Sequence, residues 1–126
     1  FLISFVLPTM PFAKEQNTIE FPSLYHGVWD VSQESCARKW SDARLTITAS
    51  SIEYWESSGV ILEILSDSPN NLRVRLSMIG EGEVWIKDAK YTIKGSKLTE
   101  FFDKYEPFSR VLCKKMPNTY EPIPRQ

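Results

Sequence analysis

The sequence predicts an all-β domain, a small antiparallel up-and-down barrel of eight strands carrying one disulfide. Three observations carry that expectation. From residue 25 onward apolar residues recur at every second position, the repeat of a strand with one buried face. Turn residues interrupt the repeat at short intervals, and no stretch holds a helical period or an internal repeat of solenoid length. The two cysteines, Cys36 and Cys113, bracket most of the alternating region.

Taken in order, "YHGVWDVS" puts Tyr25, Gly27, Trp29 and Val31 on one face of a first strand. "ARLTITAS" alternates Leu45 and Ile47 against Arg44, Thr46 and Thr48. "SIEYWES" follows, and Ser57-Ser58-Gly59 reads as the turn into "VILEILS". "DSPNN" is the plainest hairpin connection in the chain. "LRVRLSM" then sets Leu72, Val74, Leu76 and Met78 inward and Arg73 and Arg75 outward. "GEVWIKDAKYTI", the turn "KGSK", "LTEFF" and a last strand "FSRVLCKK" complete the set. Short connections between successive strands give a meander, and closing it removes exposed strand edges. At eight strands the interior is narrow: side chains fill it, or it holds one small ligand. Its lining would come from Leu45, Ile47, Leu72, Val74, Leu76 and Tyr91.

The totals narrow the function classes. A chain of 126 residues is of single-domain length, and 42% hydrophobic with 25% charged residues is a globular balance. The net charge is −1, and Lys and Arg alternate with acids, as in "RVRLSMIGEGEVWIKDAK". No positive field exists to hold nucleic acid or anionic lipid. Residues 1–13, "FLISFVLPTMPFA", are apolar and uncharged and precede "KEQNTIE". They read as the remnant of a secretory signal without its basic start, too short to span a bilayer, with a buried N-terminal strand as the other reading. The barrel domain is placed at 14–115. Residues 116–126, "MPNTYEPIPRQ", carry three prolines and read as an extended, flexible tail.

Export gives the cysteines their meaning. In an oxidising compartment an even count reads as a disulfide, and two cysteines allow one intramolecular pairing, Cys36 with Cys113. Zinc would need four ligands, and two cysteines and one histidine stand at no recognised spacing. A Cys–His nucleophile would need a free thiol.

At "GVW" the chain resembles the lipocalin and calycin barrels, which carry a Gly-x-Trp on the first strand and a basic residue on the last that packs over the Trp. Gly27 and Trp29 match the first half, and the resemblance implies Arg110 for the second, a guanidinium stacked on an indole to close the barrel. Over residues 21–113 the runs "FPSLYHGVWDVSQESC", "SDARLTIT", "YWES" and "GEGEVW", with Asp88 and Cys113, resemble a group of small exported proteobacterial proteins without an assigned activity. That group has a cysteine after the Gly-x-Trp strand and another near the last strand. Bacterial metalloprotease inhibitors are similar in their Gly-x-Trp strand and disulfide, but their cysteines lie closer together. "SSGVILE" lacks the tyrosine of the periplasmic lysozyme inhibitors' motif.

A search for chemistry finds little. His26, the one histidine, falls opposite Trp29 in a capping or solvent-facing place. Glu81 and Glu83 of "GEGE", with Asp88 beyond, could divide acid and base duties or hold a calcium-like ion. The two glycines instead mark a turn with solvated carboxylates. No catalytic residue, metal ligand or cofactor is assigned. The candidates for contact with a ligand or partner are Trp40, Trp55, Trp85, Tyr54 and Tyr91, large aromatics on or near a barrel rim. The expectation is a non-enzymatic periplasmic binding module holding a small apolar or amphipathic ligand. The alternative is a protein-interaction or protease-inhibitor-like barrel acting through its rim loops. No membrane span is expected.

Overall fold

The computed structural model describes residues 3–4 and 19–114. The tail reading and, apart from Ile3 and Ser4, the signal reading lie outside those residues. Eight antiparallel strands follow one another in chain order and close into a barrel, as the alternation predicts. They are β1 (Gly27–Asp30), β2 (Leu45–Ile47), β3 (Ile52–Glu53), β4 (Ser58–Ser68), β5 (Asn71–Gly80), β6 (Glu83–Lys94), β7 (Lys97–Phe101) and β8 (Phe108–Leu112). The strands are uneven: β4, β5 and β6 have 11, 10 and 12 residues, whereas β3 has 2.

Turn chemistry sets the long hairpins. Pro69-Asn70 joins β4 to β5, Glu81-Gly82 joins β5 to β6, and Gly95-Ser96 joins β6 to β7. Glu81 and Gly82 have φ of 48° and 79°. Positive φ at both central residues suits a primed turn, whose twist matches that of the flanking strands. One connection departs from the sequence reading. The β3–β4 turn is Tyr54–Ser57, closed by Tyr54 N–H donating to Ser57 O at 2.8 Å. Ser58 and Gly59, expected in the turn, open β4 opposite Glu53 and Ile52. Gly59 is small because its Cα lies against the Met78 side chain, with no room for a Cβ. Close packing, and not a turn, placed that glycine.

Two short helical turns interrupt the strands, a 3-10 turn at Ser23–Tyr25 and one α-turn, α1 (Gln33–Cys36). Ser32 Oγ caps α1 by accepting from Ser35 N–H at 3.0 Å. β1 stops at Asp30, whose carboxylate accepts from Val31 N–H at 2.8 Å. Val31 is therefore half exposed and does not extend the face that buries Tyr25 and Trp29.

The closing seam is short. β8 meets β1 through two register pairs, Trp29 with Leu112 and Asp30 with Val111. Gly27 has φ 143°, and a Cβ there would stand 2.7 Å from Leu112 Cδ1. Neighbouring bonds reinforce the seam: Cys113 N–H to Val28 O at 2.8 Å, Gln33 Nε2 to Leu112 O at 2.8 Å, and Lys114 N–H to Gln33 Oε1 at 3.1 Å. The disulfide Cys36–Cys113 spans 77 residues across the same place.

Inward side chains form one core cluster that includes Trp29, Leu45, Ile47, Ile52, Leu72, Val74, Leu76, Met78, Tyr91 and Leu98. Burying each large member contributes about 1.5–3 kcal/mol relative to exposure. At one end of the barrel lie the 3-10 turn and the β4–β5 and β6–β7 turns. At the other, which we term the mouth, lie the 37–44 connection and the β3–β4 and β5–β6 turns.

Candidate interaction site at the barrel mouth

The mouth is built by β6. Along it Ala89 and Tyr91 point into the core, so the period of two turns Glu83, Trp85 and Lys87 to the inner face and Val84, Ile86 and Asp88 outward. Toward the mouth charged side chains interrupt the apolar inner surface, among them Lys87, Glu100 and Arg110. Glu100, on β7, is 1% exposed.

Such a burial requires partners, and they are present. Arg110 Nη1 lies 2.9 Å from Glu100 Oε1, and Lys87 Nζ lies 3.3 Å from Oε2. The Tyr54 hydroxyl donates to the same Oε2 at 2.7 Å. Because that proton is committed, the Tyr91 hydroxyl, 2.5 Å away, donates to Tyr54. Lys87 Nζ also stands 4.4 Å from the centre of the Tyr54 ring. Burial, then the neighbouring Tyr91 and Glu100, push the Tyr54 phenol well above its usual range. Burial and the charge of Glu100 raise Tyr91, against the opposing effects of its hydrogen bond with Tyr54 and the charge of Arg110. Both stay protonated as donors. With both carboxylate oxygens engaged, this layer is suited to closing the mouth and poorly suited to accepting a substrate's proton.

Arg110 does not stack on Trp29 as the resemblance implied. Its guanidinium lies 4.7 Å from the Phe108 ring centre and 6.0 Å from that of Tyr54, and its Nε donates to Ala43 O at 2.7 Å. Trp29 is held by its own Nε1, donating to Tyr25 O at 3.0 Å. The carboxylate of Glu100 draws the arginine into the mouth, away from the indole.

A second buried pair organises the 37–44 connection. Arg44 Nε lies 3.1 Å from Asp30 Oδ2, and its other nitrogens donate to the carbonyls of Ser35, Cys36, Arg38 and Lys39. This gathers the chain before Trp40, which is 44% exposed. Arg44, expected outside, is thus inside.

Outside this layer is an open hollow of about 260 Å³ lined by Glu56, Ser57, Gly80, Glu81, Glu83 and Trp85. Glu56 shares a hydrogen bond with Glu81 and, with its charge, raises the Glu81 carboxyl above its ordinary range. Trp55 Nε1 donates to Glu56 Oε2 at 3.1 Å on the same turn. On the outer face of the β4–β5–β6 ends, Val60, Ile79, Val84 and Ile86 occupy adjoining rows of the sheet. They are 50%, 56%, 69% and 58% exposed.

Of the residues singled out in the sequence, Trp40, Trp55, Trp85 and Tyr54 fall at this mouth. Tyr91 is fully buried and meets no partner directly. His26 Nε2 bonds Phe21 O at 2.7 Å beside the 3-10 turn. Asp88 pairs with Arg75 on the outer face, apart from the inner-facing Glu83. Sequence reasoning missed the outer aliphatic patch and the Lys87–Glu100 layer. Their signals were present: "VWI" and "VIL" place apolar residues on both faces, and Lys87 and Glu100 put charges at inward positions. Among the described residues no helix is long and apolar enough to cross a membrane. Comparison of the chain with protein-family models, curated proteins and solved structures returned no match.

Proposed function

We propose that this protein is an exported, non-enzymatic docking barrel that binds another protein through its mouth and the adjoining outer face of β4–β6. The observation that carries this reading is a contrast of exposure. Leu45, Ile52, Leu72, Val74, Leu76 and Tyr91, which would line a ligand cavity, are each 0% exposed, while Val60, Ile79, Val84 and Ile86 stand half or more in solvent. A void large enough for a ligand would leave accessible surface on its lining. A grouped apolar patch beside an exposed indole is what a protein interface uses. The disulfide and the apolar leader-like stretch support an extracytoplasmic place of work.

The test is photo-crosslinking in the producing cell, with p-benzoylphenylalanine at Val84 or Ile86 and, as control, at Arg73 toward the far end of β5. Adducts of defined mass from positions 84 and 86 and none from 73 are expected. Native mass spectrometry showing a retained small molecule, with no adduct at either position, overturns the docking reading in favour of a ligand-carrying barrel.

A further inference from the structure

The closed order of strands conceals a free edge. β7 pairs with β6 only from Lys90 to Lys94. Among the described residues no strand lies beside Glu83–Ala89 on the side away from β5. The two-residue turn makes Gly80 and Glu83 a hydrogen-bonded pair, so Glu83, Trp85, Lys87 and Ala89 exchange their backbone bonds with β5. The N–H and C=O groups of Val84, Ile86 and Asp88 therefore face outward along the edge. Unpaired groups of this kind are a template for another strand.

β4 has a comparable stretch without a β3 partner, but it is blunted. Its pairing with β5 slips between Ile61 and Glu63 and again between Ile64 and Ser66, so that it carries two bulges. β6 pairs with β5 in unbroken register through ten residues, from Asn71 with Thr92 to Gly80 with Glu83. Its free edge is regular and ready to pair.

Charge selects the occupant. The edge reads Glu83-Val84-Trp85-Ile86-Lys87. Set antiparallel to itself about Trp85, it opposes Glu83 to Lys87, Val84 to Ile86, and Trp85 to Trp85. At both ends Glu83 of one copy faces Lys87 of the other, whose Nζ also holds Glu100 Oε2 at 3.3 Å, and apolar groups meet between them. The backbone agrees: Val84 and Ile86 each turn N–H and C=O outward and form hydrogen-bonded pairs, leaving the two Trp85 residues as the close, non-hydrogen-bonded pair. Moving the centre by one residue sets Val84 against Asp88 or removes the Glu83–Lys87 match.

We propose that this edge binds a second copy of the chain, with a two-fold axis through Trp85 joining the two β4–β5–β6 sheets into one. The proposal rests on the docking reading and names the partner. In the pair, the outer patches of Val60, Ile79, Val84 and Ile86 from both copies share one face.

Sedimentation equilibrium of the full disulfide-bonded chain tests it, together with amide exchange. A concentration-dependent dimer is expected, with the Val84 and Ile86 amides exchanging more slowly as the dimer fills. Glu83→Lys, on an exposed residue, sets lysine against lysine twice and weakens the dimer roughly tenfold. Trp85→Cys forms a disulfide-linked pair under mild oxidation, whereas Val60→Cys, off the edge, does not. A monomer at every concentration, or a dimer indifferent to Glu83→Lys, overturns the proposal. The cellular crosslinks separate the two readings: an adduct from position 84 with a protein other than a second copy keeps docking and rejects self-pairing, and absence of any adduct rejects docking itself.

Discussion

Asp30 and Arg44 form a sealed ion pair: Oδ2 to Nε is 3.1 Å, and the two side chains are 0% and 4% exposed. The arginine spends its remaining donors on backbone carbonyls of residues 35–39, so the pair fixes a connection as well as a charge. Arg44→Met is expected to cost about 3–5 kcal/mol, because Asp30 is left charged and unpaired. Asp30→Asn with Arg44→Met should cost less than the two single changes together. Urea denaturation of the three variants measures this, and strict additivity would show that the pair is not the unit.

The tyrosine relay has a direction, and the direction ranks two variants. Tyr54 gives a hydrogen bond to Glu100 and receives one from Tyr91, whereas Tyr91 only gives. Tyr54→Phe therefore strands the buried Tyr91 donor and leaves Glu100 Oε2 with Lys87 Nζ as its one remaining donor, at about 1–3 kcal/mol. Tyr91→Phe removes one bond and is expected to cost about 0.5–1.5 kcal/mol. Equal losses in denaturant melts would contradict the assigned donor order.

Alkaline pH should unfold the protein through the same phenols. Tyr54 and Tyr91 are raised above 10.0 mainly by burial, and Tyr25 is raised by burial and by the charge of Asp67. Above pH 10 the unfolded chain releases protons that the folded chain retains. Stability is thus intact below about pH 10 and falls as pH rises beyond it. Phenolate absorbance of these three residues should appear together with loss of the near-ultraviolet circular dichroism signal, and Tyr54→Phe should move that transition.

Removing the disulfide with Cys36→Ala and Cys113→Ala is expected to cost about 4.5 kcal/mol at most, from the entropy of a 77-residue closed loop. Amide exchange should then rise first at Val28, Trp29 and Val111, along the short seam. Faster exchange in the β5–β6 hairpin instead would show that the bridge supports a different part of the barrel.

Alternation made the barrel legible. Leu72, Val74, Leu76 and Met78 point inward as "LRVRLSM" implies, since a period of two has only one register that buries them. The cysteines were legible because two of them leave one pairing. The β3–β4 turn was not, because Gly59 serves a contact with a side chain 19 residues later, information that no local window holds. Arg110 was placed on the right strand and against the wrong rings. Its position follows from Glu100, a charge whose inward direction could be counted from Leu98 but whose pairing needed the third dimension. The mouth aromatics were visible as residues. The aliphatic patch beside them was not, because it assembles from three strands, each giving one or two residues.

The covalent bridge beside the closing seam also dictates how the molecule meets a mechanical load. Tension applied to the two ends of the chain passes from Cys36 directly to Cys113, so the strands between them are shielded. In an optical trap the oxidised protein should lengthen only by the segments outside the bridge. Adding a reductant should release a further extension of about 260 Å, the contour of 77 residues at roughly 3.4 Å each.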